Sequence, residues 1–141
     1  MNMMEMVLAL FAVVFFSTVA LMYNRAVWDQ SETLMHANMY VQSSHLTHSI
    51  LDEVDARLFS KQLAFANIKT QYNTTRSLNL THTGGTYSIQ ISAVDCDSLG
   101  VPLATAIPNN IYTLVTVRTN TAGLKIPVTM RRVYTKTHLN L

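Results

Sequence analysis

The sequence predicts an α+β protein, in which a long N-terminal α-helix packs against a small antiparallel β-sheet of three or four strands. Three observations support this fold class. Residues 6–24 form an uncharged apolar run, neither glycine nor proline occurs before Gly84, and the second half of the chain alternates β-branched with polar residues. Without glycine or proline nothing interrupts a helix early in the chain, whereas a period of two is typical of half-buried strands.

The first element is the apolar run, which extends from Met6 to Asn24 and is preceded by Glu5. At about 1.5 Å per residue it spans roughly 28 Å as a helix, which is close to the thickness of a bilayer core. A cleaved export signal has basic residues in front of its apolar run, and this chain has none there. We therefore predict that residues 1–25 form an apolar helix of a membrane or a filament core, with Arg25 at its interface.

The same helix is expected to continue to about residue 60 as an amphipathic half covering residues 26–60. Apolar residues recur at spacings of three and four, which places them on one face of a helix. The predicted stripe contains Met35, Met39, Leu46, Ile50, Val54 and Leu58, with Leu34, Leu51 and Phe59 beside it.

Strands are predicted between residues 77 and 137. The candidates are Tyr87–Ile91, Ile111–Arg118, Leu124–Met130 and, more weakly, Ser77–Thr83. The strand at Ile111–Arg118 is apolar on both faces at its start and alternates only at its end. Pro127 has no amide hydrogen to donate, so it belongs at a sheet edge or a bulge. We expect an antiparallel meander whose one face covers the amphipathic helix half, so that residues 26–141 form one head.

Glu5 is unusual because burying a carboxylate at the edge of a membrane span costs about 2.5–3.5 kcal/mol on insertion scales. Such a residue normally has a cationic partner, but no Lys or Arg precedes Arg25. The nearest candidate cation is the amino terminus of the chain or that of another copy. This pattern predicts a subunit that packs helix against helix with its copies.

An acid at position five, an apolar helix, an amphipathic continuation and a small antiparallel sheet together resemble the type IV pilin family and its sister family, the pseudopilins of type II secretion. In that family a leader peptide is removed and the fifth mature residue is a glutamate, which matches Glu5 if Met1 is the mature terminus. The resemblance implies that Met1 is N-methylated and that Glu5 pairs with the Met1 amine of a neighbour. These two residues are the predicted assembly site.

The resemblance also implies partners and a location. The partners would be copies of the chain in a homopolymer, a prepilin peptidase and the pilus assembly machinery of the inner membrane. The subunit would reside in the inner (cytoplasmic) membrane before assembly and in an extracellular filament afterwards. The chain departs from many relatives in beginning with Met rather than Phe, and in having Val14 and Met22 where they have Gly and Pro. It also has a single cysteine, Cys96, and therefore no internal disulfide.

No residue pattern predicts an enzyme, a cofactor site or a metal site. His45, His48 and Asp52 share a helix face, but no further strong ligand accompanies them, so we expect a polar helix face. Cys96 lies between two aspartates, which predicts a raised thiol pKa and an unreactive thiol. The triplets beginning at Asn73 and Asn79 fit the pattern for N-glycosylation.

Charge is distributed unevenly along the chain. The net charge is −5 up to residue 56 and +7 from residue 57 onward. Three interpretations remain open at this point. The acidic helix flank could meet a basic sheet on a neighbouring subunit, the basic head could bind DNA or acidic polymers of a cell surface, or the charges could be solvated and have no role.

Two classes of function follow. The first is a structural subunit of a type IV pilus-like filament, whether for adhesion, motility or DNA uptake. The alternative is a single-span membrane-anchored sensor or binding module with residues 26–70 as a helical stalk. A stalk should be charged on most faces, whereas residues 33–51 contain no Asp, Glu, Lys or Arg. The uncharged stretch favours burial of this helix against copies of the chain.

Overall fold

The computed structural model describes residues 2–80, 85–105, 107 and 110–136. These residues form a long helix followed by a four-stranded antiparallel sheet, which confirms the predicted α+β fold class. In chain order the elements are α1 (Met3–Phe59), a 3-10 turn (Phe65–Asn67), α2 (Ile68–Gln71), β1 (Thr75–Leu80), β2 (Gly85–Asp95), β3 (Tyr112–Thr121) and β4 (Val128–Thr135). Tertiary contacts divide the chain into two compact units between Asn38 and Met39. The boundary predicted after residue 25 was defined differently, as the point where the helix leaves the membrane or the filament core. That boundary stays a prediction.

Helix α1 has almost the predicted bounds, because the sequence offers no earlier interruption. It ends where Lys61 adopts a left-handed backbone conformation with φ of 58°. The amides of Gln62 and Leu63 both donate to the carbonyl oxygen of Arg57, at 3.0 Å each, and so satisfy the last turn. Near the other end, Thr18 Oγ1 donates to the Val14 carbonyl at 2.7 Å, as Ser and Thr often do within helices, without interrupting α1.

The first unit, up to residue 38, contains only the N-terminal part of α1. Its most apolar stretch of 18 residues is not buried at all within the chain. This helix is long and apolar enough, by length and composition, to cross a membrane, and it is the one such helix among the residues that the structure describes. The N-terminal helix is therefore a candidate membrane anchor.

The second unit contains the rest of α1 and a meander with the strand order β1-β2-β3-β4. The register aligns Ile91 with Val117, and Val117 with Met130, so that these side chains share the inner face of the sheet. This face packs against the second half of α1 around one core. The buried core residues are Ile50, Leu51, Val54, Leu58, Leu63, Phe65, Ile68, Tyr72, Ile89, Ile91, Ala93, Val115, Val117 and Tyr134.

Strand β3 has the predicted change in pattern. Thr113, Leu114 and Val115 are all buried, and strict alternation begins only further along the strand. On the outer side, Leu114 pairs with Val133 of β4, and Gly100 lies against Val133. The loop before β3 therefore covers the outer face at this end of the sheet, which explains why β3 is apolar on both faces there.

Two strand predictions differ from the structure. The predicted strand at Leu124–Met130 is wrong in its first half, because the Leu124 amide closes a turn onto Thr121 and Ile126 is 76% exposed. Strand β4 begins only at Val128, directly after Pro127, which has no amide hydrogen for the ladder. The weak candidate at Ser77–Thr83 corresponds to β1, whose bounds lie two to three residues earlier, and its residues 81–83 lie outside the described residues.

The predicted apolar stripe of α1 is only partly correct. Ile50, Leu51, Val54 and Leu58 are buried, whereas Phe59 is 74% exposed. The stripe omitted Ser43 and Thr47, which are both fully buried. Thr47 Oγ1 donates to the Ser43 carbonyl oxygen at 2.7 Å and lies 2.9 Å from Thr119 Oγ1 of β3. The Thr47 hydroxyl thus connects α1 to β3 in place of an apolar contact, whereas the buried Ser43 Oγ has no hydrogen-bond partner among the described residues.

Candidate assembly surface

Glu5 has a hydrogen-bond partner within its own chain. The backbone amide of Asn2 donates to Glu5 Oε2 at 3.2 Å, while the Glu5 amide donates to the Asn2 carbonyl at 2.8 Å. Asn2 thus occupies the N-cap of α1, and the carboxylate at the third helical position satisfies its amide, as in a capping box. A negative charge in the first turn also interacts favourably with the helix dipole. Sequence reasoning missed this local role, although an acid three residues after an Asn was its signal.

The other predicted assembly residue, Met1, lies outside the described residues. The pairing of Glu5 with the amino terminus of a neighbour therefore stays a prediction. Within the described residues no hydrogen bond involves Glu5 Oε1, so this oxygen is the one a second donor would meet.

The apolar helix presents its surface on all sides. Phe11, Phe15 and Phe16 are 69%, 66% and 72% exposed, and the rings of the last two meet edge to face at 6.3 Å. Soluble monomers rarely expose apolar patches larger than a few hundred Å². This part of α1 is therefore a candidate surface for contact with lipid or with other protein.

The acids on the second half of α1 bind arginines of the same chain. Arg132 Nη1 contacts Asp55 and lies 3.4 Å from Asp52 Oδ1. Glu53 accepts from Arg57 and Arg76 at 2.9 and 3.0 Å. Each of these three acids therefore has an arginine partner within its own chain.

Burial and charge alter the acid–base properties of this cluster. Burial raises the pKa of Tyr134, and the neighbouring Asp55 carboxylate raises it further. The phenolic hydroxyl donates to the Leu51 carbonyl oxygen at 3.3 Å. Burial by itself lowers the pKa of Arg132, but the charge of Asp55, the neighbouring Tyr134 and the hydrogen bond to Asp52 together outweigh burial, so the pKa is raised. The arginine therefore stays charged and the tyrosine neutral, and together they hold β4 against the helix. Alternation along β4 places Arg132 on the inner face of the sheet, which faces α1. This position was the sequence signal for the contact of Arg132 with the acids of α1.

A further ion pair connects α2 to the sheet. Lys69 Nζ donates to both carboxylate oxygens of Asp95, at 2.9 and 2.8 Å, and the Asp95 side chain is 5% exposed. The pair borders a cavity of about 310 Å³ that Phe65 and Thr113 also line. No local sequence pattern signals this pair, because its two members belong to different elements and are far apart along the chain.

The side chains that we considered for metal binding and for a reactive thiol lie in different surroundings. His45 and His48 are exposed, and Asp52 turns to Arg132. No group of three or more potential metal ligands occurs among the described residues. Cys96 is fully buried, and burial, followed by Asp97 and Asp95, raises the pKa of its thiol. The predicted direction is confirmed, although burial is a larger cause than the aspartates.

The outer face of the sheet is polar and positively charged. It is formed by Gln90 and Ser92 of β2, Thr116 and Arg118 of β3, and Thr129 and Arg131 of β4. We call these six residues the outer sheet face. Together with Ile126 and Pro127 they line an open depression of about 510 Å³.

No family model, curated protein or solved structure matches the chain. A functional assignment therefore depends on the surfaces of the chain itself. These are the first turn at Glu5, the uncovered apolar helix and the outer sheet face.

Proposed function

We propose that this protein is the structural subunit of an extracellular type IV pilus-like filament, and that it polymerises through its N-terminal apolar helix. One observation carries the proposal: the apolar part of α1 is unburied, while the head already has a core of its own. A surface of this kind needs lipid before assembly and neighbouring helices afterwards. The proposed locations are accordingly the inner membrane and then the filament.

The position of Glu5 supports helix-to-helix assembly. Its carboxylate lies in the first turn of α1, next to the apolar surface that polymerisation would bury. One carboxylate oxygen accepts from the Asn2 amide, which leaves the other for the amine of a neighbouring subunit. Removing one member of a buried ion pair typically costs about 3–5 kcal/mol, so this contact would strongly affect assembly.

The family resemblance supplies the rest of the proposal. A prepilin peptidase would generate an N-methylated terminus at Met1, and the inner-membrane assembly machinery would extract the subunit from the bilayer. Attachment to surfaces, motility and DNA uptake are all uses of such a filament. The intact mass and an N-terminal peptide spectrum check the processing step, because an unmodified or formylated translational start at Met1 would contradict it.

Replacing Glu5 tests the assembly step. Glu5→Gln keeps an oxygen that can accept from the Asn2 amide but removes the charge, whereas Glu5→Ala and Glu5→Val remove both. We expect all three variants to insert into the membrane and to form few filaments, as counted by electron microscopy of sheared cell-surface material. Abundant normal filaments from Glu5→Ala would reject the proposal.

One observation favours a second candidate, the single-span membrane-anchored sensor or binding module. The hydrogen bond from Asn2 gives Glu5 a role in a monomer, so the acid does not require a neighbour. The predicted stalk is shorter than residues 26–70, however, because α1 packs against the sheet from Ser43 onward and ends at Phe59. Membrane-bound protein that never forms filaments, with Glu5→Gln indistinguishable from wild type, would support this alternative.

A further inference from the structure

The outer sheet face carries two arginines that form no ion pair among the described residues. Arg118 and Arg131 are exposed, and neither forms an ion pair with any carboxylate side chain, all of which lie within the described residues. The other four members of the face are hydroxyl or amide side chains. The face therefore offers hydrogen bonds and positive charge without a counter-charge of its own.

The two arginines are close enough to act together. Arg118 lies opposite Thr129 and Arg131 lies opposite Thr116, so the arginines are diagonal neighbours on one face. Diagonal residues of adjacent strands are about 7–8 Å apart, within reach of long side chains. Guanidinium groups bind carboxylates through two parallel hydrogen bonds. The face can therefore receive two carboxylates spaced by roughly one helical turn.

Among the acids that bind no arginine or lysine, one pair matches this spacing. Asp52, Glu53, Asp55 and Asp95 bind arginine or lysine, Asp97 accepts from the amides of Leu99 and Val101, and Glu5 accepts from Asn2. Asp29 and Glu32 remain. They are three residues apart on α1, which places their Cβ atoms about 5–6 Å apart. Both are exposed, and the one side-chain ion pair described for either is the contact of Glu32 with His36 at 3.3 Å.

We propose that in the filament the outer sheet face of one subunit binds Asp29 and Glu32 of a second copy. This inference rests on the proposed function. The contact would fix the position of one subunit's head along the α1 helix of the second copy. Arg25 lies one turn before Asp29 and forms no ion pair among the described residues, so it does not satisfy that acid within the chain.

Charge and composition favour a second copy over nucleic acid. The outer sheet face has no aromatic side chain on which a base could stack, and stacking supplies much of the affinity for single strands. Two arginines neutralise two phosphates, which gives a salt slope of only about −1.8 on duplex DNA and correspondingly weak binding. A carboxylate pair on another copy, by contrast, is present in every subunit.

Charge reversal and its compensation test the contact in the full-length protein. Arg118→Glu with Arg131→Glu should lower the filament yield at least tenfold, and Asp29→Lys with Glu32→Lys should do the same. The quadruple variant, which exchanges the charges, should recover at least half of the wild-type yield. Lys61→Glu is the control, because Lys61 forms no ion pair among the described residues and lies at the end of α1, away from the face. Its yield should equal that of wild type.

Disulfide cross-linking gives an independent measurement. Two variants, Arg131→Cys and Glu32→Cys, each carrying Cys96→Ser, would be co-expressed and their filaments oxidised. We expect a mixed dimer that neither variant forms alone. Pairing Ser77→Cys with Glu32→Cys is the control, since Ser77 is exposed on β1 at the far edge of the sheet.

The outcomes separate this inference from the proposed function. Wild-type protein that forms no filaments overturns both. Normal filaments from the charge-reversal variants, or no recovery in the quadruple variant, overturn this inference alone. Normal filaments combined with lost DNA binding in Arg118→Glu with Arg131→Glu also overturn it, and would identify nucleic acid as the occupant.

Discussion

At the scale of single residues, the hydroxyl groups of Thr47 and Thr119 form a hydrogen bond that connects α1 to β3 inside the head. Thr47 Oγ1 bonds to both the Ser43 carbonyl and Thr119 Oγ1, and both threonines are fully buried. Thr47→Val leaves Thr119 Oγ1 buried without a partner, which typically costs about 1–3 kcal/mol. We expect the free energy of unfolding to fall by this amount, as measured by urea unfolding of the full chain in detergent micelles.

The double variant Thr47→Val with Thr119→Val completes the cycle. Because both polar groups are then removed, it should cost less than the sum of the two single variants. Thr33→Val is the control, since Thr33 makes the same bond to the carbonyl four residues earlier on an exposed face. A cost for Thr33→Val equal to that of Thr47→Val, or strict additivity in the double variant, would contradict this account.

Tyr134 gives a prediction for alkaline pH. Burial, with help from Asp55, raises its pKa above the ordinary value of 10.0, so the folded state holds the phenolic proton more tightly than the unfolded state does. The free energy of unfolding is therefore unaffected by this group below about pH 10 and falls as the pH rises further. Tyr134→Phe should make the decline between pH 9 and 11 shallower. Tyr40→Phe, at a residue that is 56% exposed, should leave the decline unchanged.

At the scale of elements, we expect α1 to remain helical through residues 14–24 in the proposed filament. Helix breaks usually arise from proline, glycine or inserted polar groups, and neither of the first two occurs before residue 84. In a dry core each unpaired backbone group costs several kcal/mol, which opposes melting. A filament map should show continuous i to i−4 bonding from about Met3 to Leu58.

Introducing the residues common in the type IV pilin family, which the sequence resembles, provides the comparison. Val14→Gly with Met22→Pro removes one amide donor and adds backbone freedom, so the same stretch should become extended in the variant's filaments. An extended segment between Val14 and Asn24 in the wild-type map would show that packing of the heads overrides the local preference.

At the scale of the whole molecule, the apolar helix and the head core should respond separately to substitution. All the core residues lie from Ile50 onward, and the most apolar stretch of α1 contributes none of them. Val13→Lys should lower membrane insertion by roughly 2.5–3.5 kcal/mol, as measured by carbonate extraction. The near-ultraviolet circular dichroism of the head should stay the same. Loss of that signal in Val13→Lys would mean that the head depends on the apolar helix for its fold.

The sequence by itself determined the order and type of the elements, because these depend on local composition and period. The absence of glycine and proline indicated the length of α1, and alternation indicated β2, β3 and the second half of the strand predicted at Leu124–Met130. The same local patterns indicated which end of β3 is apolar on both sides. They failed at residues 124–127, where a turn and a proline interrupt the alternation before the strand begins.

Only the tertiary structure decided which polar residues belong to the interior and which charges meet. Thr47 is buried because a strand hydroxyl lies opposite it, and Arg132 is charged within the head because Asp55 faces it from 77 positions away. These pairings depend on distances between segments far apart in the chain, which no local pattern contains. Among the described residues, the same packing leaves Arg118 and Arg131 without a carboxylate partner and Asp29 and Glu32 without a Lys or Arg partner.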